Sequence, residues 1–406
     1  MSKTIQYNPL KNPLYVMVKP IGSICNLHCD YCYYLDKKEL SPLNGSNKMS
    51  DATLELFIEQ YINAQPIGQV LFTWHGGEPL LLGIEYYRKA IRLQKIYGRH
   101  KQIDNVLQTN GVLLTDEWCR FFKENNFLIG ISIDGPAYCH NRYRKTIKNE
   151  GSFLQALEGI KLLQRYQVEF NVLSVVNNYN VQYPLEIYHF FKEIGAKYIQ
   201  FSPVVERLNS ESGLLTSAMS TQGELTPWSV GSLDYGKFLN TIFDEWVRND
   251  VGEIFVITFD DTLANFVDVP AGTCVYAETC GHVAALEANG DLYSCDHFVF
   301  PEFKQGNIHE QTITEMMLSP EQIKFGSNKS KSLSSQCLKC KFLKLCNGEC
   351  PKNRIIRLPD GSTQNYLCQG LKHYFNHVEP YMQFMTNELK NNRSPENVIR
   401  WVRSRK

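Results

Sequence analysis

Eleven of the 13 cysteines fall into two groups at metal-ligand spacings, which restricts the chain to folds that can close around metal. The first group occupies the stretch SICNLHCDYCYY, where Cys25, Cys29 and Cys32 follow an apolar run that reads as a strand. Cys-x3-Cys-x2-Cys offers a metal cluster three thiolates. A [4Fe-4S] cluster held this way keeps one iron without a protein ligand, and such an open position is where a substrate can bind. The spacing also admits a zinc knuckle short of one ligand, or buried thiols in a reduced protein. His28 lies inside the tight loop and is poorly placed to complete a tetrahedron. Cys119 and Cys139 stand outside both groups, and Cys119, in a helical pattern, reads as an inert buried thiol.

The second group runs Cys274, Cys280, Cys295, then Cys337-x2-Cys340-x5-Cys346-x3-Cys350, then Cys368. Eight thiolates suffice for two four-ligand sites. Spacing alone serves zinc and iron-sulfur clusters alike. With 406 residues, 43% of them hydrophobic, the chain can bury the cores of two or three domains. Its 42 basic and 42 acidic residues cancel, leaving no electrostatic footprint for nucleic acid or an anionic membrane. No apolar run approaches transmembrane length, and MSKTIQYNPLKNP contains no hydrophobic signal segment, so a cytoplasmic location is expected. In a reducing compartment these spacings signify metal ligation rather than disulfides. The chain shows no coiled coil, and a monomer is expected.

Short β-branched runs alternate with helical patterns from about residue 14 to about residue 203. The strands read as Leu14–Ile21, Val70–Trp74, Asn105–Thr109, Leu128–Ile133, Glu169–Val176 and Tyr198–Ser202. Between them, one amphipathic helix starts at a Ser50 N-cap and carries Leu54, Phe57, Ile58 and Tyr61, and another carries Phe153, Ala156, Leu157 and Ile160. Successive βα units imply parallel strands with right-handed crossovers, in a doubly wound sheet or a barrel. Residues 206–232 read as a long loop, a helix over about Leu233–Asn249 closes the first domain, and after Gly252 the βα rhythm stops. The expected domains are 1–235, a metal-built 236–375, and a helical, basic tail 376–406.

Polar and glycine-rich groups sit just past the strands. Strand two runs into His75-Gly76-Gly77-Glu78-Pro79, where two glycines permit close backbone approach and a carbonyl or carboxylate can accept from an ammonium group. Strand three ends in Gln108-Thr109-Asn110-Gly111. Strand four ends in Ser132-Ile133-Asp134-Gly135, followed by Arg142 and Arg144; Asp134 also suits a turn cap, and the arginines a solvated face.

The cysteine triplet, with Tyr31 before its third member, and the GGEP run after strand two together resemble the radical S-adenosylmethionine (SAM) superfamily. That resemblance implies a partial (β/α)6 TIM-like barrel with its site at the C-terminal strand ends. It also implies that the open iron chelates SAM, which is cleaved to a 5′-deoxyadenosyl radical. Tyr31, Gly76, Gly77 and Glu78 are then cofactor-binding, with the GGEP run at the SAM amino group. Ser132 and Arg144 would contact its ribose and carboxylate, and Val205 its adenine.

The eight later cysteines are similar in order and spacing to a SPASM domain. By that resemblance Cys274, Cys280, Cys295 and Cys350 hold one auxiliary [4Fe-4S] cluster, and Cys337, Cys340, Cys346 and Cys368 hold a second. Three clusters result, the auxiliary two with every position filled and suited to electron transfer.

Over nearly its whole length the chain resembles the anaerobic sulfatase-maturating enzymes. They oxidise a cysteine or serine of a sulfatase, within Cys/Ser-x-Pro-x-Arg, to Cα-formylglycine, after the radical removes a Cβ hydrogen. In them an aspartate directly after the third auxiliary cysteine is the general base, and Asp296 holds that slot. An electron donor such as flavodoxin or ferredoxin is implied. The alternatives are another SPASM peptide maturase, forming thioether or carbon-carbon crosslinks, and a non-catalytic metal-binding scaffold.

Overall fold

The computed structural model describes residues 13–35, 37 and 48–405, and the N-terminal segment 1–12, where no hydrophobic signal is expected, lies outside the described residues. In chain order the strands are β1 (Tyr15–Lys19), β2 (Gln69–Trp74), β3 (Gln102–Thr109), β4 (Phe127–Ser132), β5 (Phe170–Val176), β6 (Tyr198–Pro203), β7 (Arg207–Leu208), β8 (Glu224–Leu225), β9 (Phe255–Val256), β10 (Val283–Glu287), β11 (Asp291–Tyr293), β12 (Lys304–Asn307), β13 (Ile356–Arg357) and β14 (Thr363–Gln364). All six strands read from the sequence are present. The chain divides into two units, the first of Met1–Ile131, Lys145–Glu169 and Thr279–Asn328, the second of Ser132–Arg144, Phe170–Glu278 and Lys329–Lys406.

In the first unit the strand order is β12-β11-β10-β1-β2-β3-β4. β1 to β4 pair in parallel, as expected of βα units, and β10 joins the other side of β1 in parallel, from Tyr15 opposite Val283 to Lys19 opposite Glu287. The helix Asp51–Ala64 begins where Ser50 accepts a hydrogen bond from Thr53 N, and it buries Leu54, Phe57, Ile58 and Tyr61. These residues pack on β2 through edge-to-face contacts of Phe57 and Tyr61 with Phe72, which stacks on Trp74. Trp74 in turn satisfies its indole N–H on Asn105 Oδ1 at 2.8 Å, inside a buried pair with Gln94. The packing and the bond tie the C-terminal end of β2 to the middle of β3.

In the second unit β5, β6 and β9 pair in parallel, and the helix Ser232–Asn249 matches its expected bounds within one residue. The βα rhythm does not stop at Gly252: β9 continues it and feeds the helix Ile257–Phe266. A two-residue strand leaves no periodicity to read, which is why the pattern hid it. The loop 206–232 carries the small β7–β8 hairpin. Cys119 and Cys139 are both fully buried, and burial pushes their thiols up to about 11 and about 12. No helix among the described residues is long and apolar enough to cross a membrane.

The helix Cys368–Lys390 crosses Ser232–Asn249 glycine against glycine. A Cβ on Gly370 or on Gly236 would fall well under 3.0 Å from the other helix's backbone. Gly370→Ala should therefore cost about 1–3 kcal/mol of stability, the range for overpacking, and displace the adjoining Cys368. Anaerobic denaturant unfolding checks the first effect and iron content the second.

Candidate active site and cluster ligands

β1 ends at Lys19, and a turn in which Gly22 N donates to Lys19 O (3.0 Å) opens the first cysteine loop. The GGEP run is fastened to that loop, with Gly77 N donating to Gly22 O at 2.7 Å and Glu78 N to Ile24 O at 2.9 Å. Gly76 has φ +124°, and a Cβ on Gly77 would lie well under 3.0 Å from the Ile24 carbonyl. Glycine is thus demanded by the chain's own approach to its cysteine loop.

Glu78 is fully buried, and its carboxylate accepts from Leu80 N (3.0 Å), Thr109 Oγ1 (2.8 Å) and Asn110 N (2.9 Å). It ties the end of β2 to the end of β3, and burial pushes its carboxyl up to about 7. Asn110 passes the restraint on, donating to Asn26 Oδ1 at 2.8 Å and lying 3.7 Å from Cys25 Sγ. Burial likewise pushes the Cys25 thiol up to about 12, Cys32 adding to the effect. A buried thiol of this kind ionises when a bound cation supplies the compensating charge, so the donors fit a metal cluster. Tyr31 and Cys29 are buried in the same loop, and His28 is exposed.

Asp296, in the turn that follows Cys295, is 8% exposed and forms an ion pair with the fully buried Lys19. Its other oxygen accepts from Tyr33 OH, one residue after Cys32. Burial alone would raise the Asp296 carboxyl, but the Lys19 ammonium, with lesser contributions from His75 and His297, outweighs it and holds the group well below the usual carboxylate range. Lys19 also sits 3.6 Å from the Tyr34 ring centroid, and Tyr34 OH donates to Glu287, the residue opposite Lys19 in the β1–β10 register. His75, at the end of β2, accepts from Gly76 N through Nδ1 (2.8 Å), and burial with the nearby Lys19 pushes it down to about 4, so it is neutral. Lys19, Tyr33, Tyr34 and Glu287 escaped the sequence reading. The available signal was a lysine closing an apolar strand directly before a proline.

The first unit therefore gathers Cys25, Cys29, Cys32, Tyr31, Gly76, Gly77, Glu78, Cys280, Cys295 and Asp296. The second holds Ser132, Arg144, Val205 and the remaining auxiliary cysteines. There Arg144 Nε meets Asp134 Oδ2 at 3.0 Å, both residues are buried, and Asp134 Oδ1 also accepts from Val175 N at 2.9 Å. Asp134 thus anchors β5 and aims Arg144, and Arg144 is no solvated surface group. Val205 is buried, and its carbonyl accepts from Lys352 Nζ at 3.0 Å. Cys337, Cys340, Cys346 and Cys368 line one cavity with Phe342, Leu371 and Phe375, whereas Cys350 does not line it. Four thiols in one apolar hollow fit a fully ligated cluster. Of the other four, Cys280 and Cys295 belong to the first unit, Cys274 and Cys350 to the second.

Residues 20–191 match the radical SAM superfamily, and residues 278–341 match the iron-sulfur cluster-binding SPASM domain. The chain is 53% identical over 402 residues to a serine-type anaerobic sulfatase-maturating enzyme of Bacteroides thetaiotaomicron, covering 98% of this chain and 97% of that one. It is 31% identical over 381 residues to a cysteine-type enzyme of Clostridium perfringens, covering 93% and 100%. Among solved structures it matches anSMEcpe with bound AdoMet and a Cp18Cys peptide at a TM-score of 0.83 and 31% identity, over 93% of this chain and 100% of that one. Streptococcus suis SuiB bound to its precursor peptide SuiA shares the fold at a TM-score of 0.60 and 14% identity, over 88% and 76%. The fold and cysteine sites define a radical SAM enzyme with a SPASM domain. Within that class the chain belongs to the anaerobic sulfatase-maturating enzymes.

Removing one partner of a buried ion pair leaves the other charge uncompensated. Lys19→Met should cost roughly 3–5 kcal/mol at neutral pH, while Lys19→Met with Asp296→Asn should recover much of the loss. Anaerobic denaturant unfolding of the two single variants and the double variant measures the coupling.

Proposed function

We propose that this protein oxidises the serine of a Ser-x-Pro-x-Arg segment of a sulfatase polypeptide in preference to the cysteine of a Cys-x-Pro-x-Arg segment, and that the product is Cα-formylglycine. The observation that carries the reading is the Asp296 carboxylate, which follows an auxiliary-type cysteine and is oriented by Lys19 and Tyr33. Serine preference is supported by the 53% identity to a serine-type relative against 31% to a cysteine-type one.

Cys25, Cys29 and Cys32 would hold the cluster that binds SAM. Cys274, Cys280, Cys295 and Cys350 would hold one auxiliary cluster, and Cys337, Cys340, Cys346 and Cys368 the other. When bound, these groups and SAM supply the radical that removes a Cβ hydrogen and an acceptor for the electron released afterwards. Asp296 takes the hydroxyl proton of the substrate, which becomes acidic once the neighbouring carbon is a radical. The ion pair with Lys19 keeps the carboxylate in the unprotonated form that can accept a proton, at a cost in basicity. Tyr33 and the Lys19 ammonium fix its direction, so no reorganisation accompanies the transfer. Asp134 orients Arg144, which would hold the SAM carboxylate, and Tyr31, the Gly76–Glu78 turn, Ser132 and Val205 are the residues that would contact the rest of SAM. An electron carrier of the flavodoxin or ferredoxin type would serve the clusters, in a cytoplasmic monomer.

Asp296→Asn keeps the size and most hydrogen bonding of the residue but removes the base. Under anaerobic incubation with SAM, reductant and a Ser-x-Pro-x-Arg peptide, deoxyadenosine should still form while aldehyde falls by roughly 10²–10⁴. Mass spectrometry of both products decides, and aldehyde near the wild-type level would remove Asp296 from the chemistry. In reconstituted protein the wild type should hold about twelve irons, and replacing Cys25, Cys29 and Cys32 together with Ala should remove about four of them along with all SAM cleavage.

A further inference from the structure

Cys346 and Cys350 bracket Asn347, Gly348 and Glu349, and all three intervening residues are left-handed, with φ of +49°, +73° and +51°. Left-handed backbone is costly at asparagine and more so at glutamate, and it persists where the surroundings impose it. Here they do. Arg354 is 4% exposed, and its guanidinium donates to Gly348 O (3.2 Å), Asn347 O (3.3 Å), Lys329 O (2.7 Å) and Ser332 Oγ (3.1 Å). The Asn347 amide donates to Tyr276 O at 2.7 Å.

Glu349 is also 4% exposed, and its carboxylate accepts from Asn353 Nδ2 at 3.1 Å and from Asn365 Nδ2. Asn365 reaches onward to Cys350 O (3.3 Å), accepts from Leu367 N (2.8 Å), and through its carbonyl accepts from Cys368 N (3.1 Å). Glycine would sit at φ +51° without strain, so a glutamate there is explained by what its side chain holds. The turn has a visible consequence for the thiols. Cys346 lines the cavity shared with Cys337, Cys340 and Cys368, and Cys350, four residues on, does not.

We propose that Glu349 is a positioning residue common to both auxiliary sites. Its buried carboxylate, gripped by Asn353 and Asn365, locks the left-handed turn to the Cys368 segment and so directs Cys346 and Cys350 into different clusters. The proposal rests on the ligand sets given above for the two auxiliary clusters.

The test is iron and sulfide per chain in the reconstituted full-length protein, with deoxyadenosine formation as the control for an intact first cluster. Glu349→Gly relieves the backbone but deletes the acceptor, and it should drop the content from about twelve irons to about eight or fewer while SAM cleavage persists. Glu349→Gln retains an oxygen that accepts from both asparagines, and it should stay near the wild-type content. Wild-type iron in Glu349→Gly would overturn the proposal, and so would equal losses in the two variants. A wild type with clearly fewer than about twelve irons would instead remove the ligand sets on which the proposal stands.

Discussion

A fully buried ammonium closes β1, and the first unit is arranged around it. Taking the Lys19 and Asp296 charges out of water costs several kcal/mol for each, and the cost is recovered where the pair is close and its remaining valences are filled. Tyr33 fills one of those valences on Asp296, and the Tyr34 ring, itself anchored on Glu287, covers the ammonium. The pairing of β1 with β10 brings Glu287 opposite Lys19. One network therefore joins the first strand, the segment after Cys32 and the turn after Cys295, and it places the Asp296 carboxylate beside two cysteine loops.

Metal is not asked to organise these loops unaided. The GGEP turn is bonded to the residues leading into Cys25, and Glu78 and Asn110 brace the same loop from the ends of β2 and β3. In the second unit Arg354, Glu349 and Lys329 do comparable work, Lys329 donating to the carbonyls of Cys274 (2.6 Å) and Val275 (2.8 Å). Thiols pushed up to about 12 at Cys25 and Cys346 are then poised in place but uncharged until a cation arrives. Preorganised ligands lower the ordering entropy that metal binding must otherwise overcome.

The strands β1 to β6 were legible because each is an apolar, β-branched run ending in turn residues. β9 was not, being two residues long, and the parallel partnership of β10 with β1 is a pairing between distant segments that local pattern does not encode. At the site, the cysteines proposed as cluster ligands stood out by their spacing, and Gly76 and Gly77 by their motif. Lys19 was hidden because a lysine at a strand end ordinarily lies in solvent, and Glu349 because an acidic residue between two cysteines carries no periodic signal. The glycine requirement at residue 77 was anticipated for a ligand, while the structure answers it with the chain's own Ile24 carbonyl.

The central claim is that Asp296 acts after hydrogen abstraction and on a different proton. A serine peptide deuterated at Cβ, incubated anaerobically with SAM and reductant, tests that order directly. Mass spectrometry of the deoxyadenosine should show deuterium transferred from the peptide in the wild type and in Asp296→Asn alike, although the variant makes little aldehyde. Deoxyadenosine free of deuterium in the variant would mean that Asp296 is needed to present the Cβ hydrogen, and it would contradict the account.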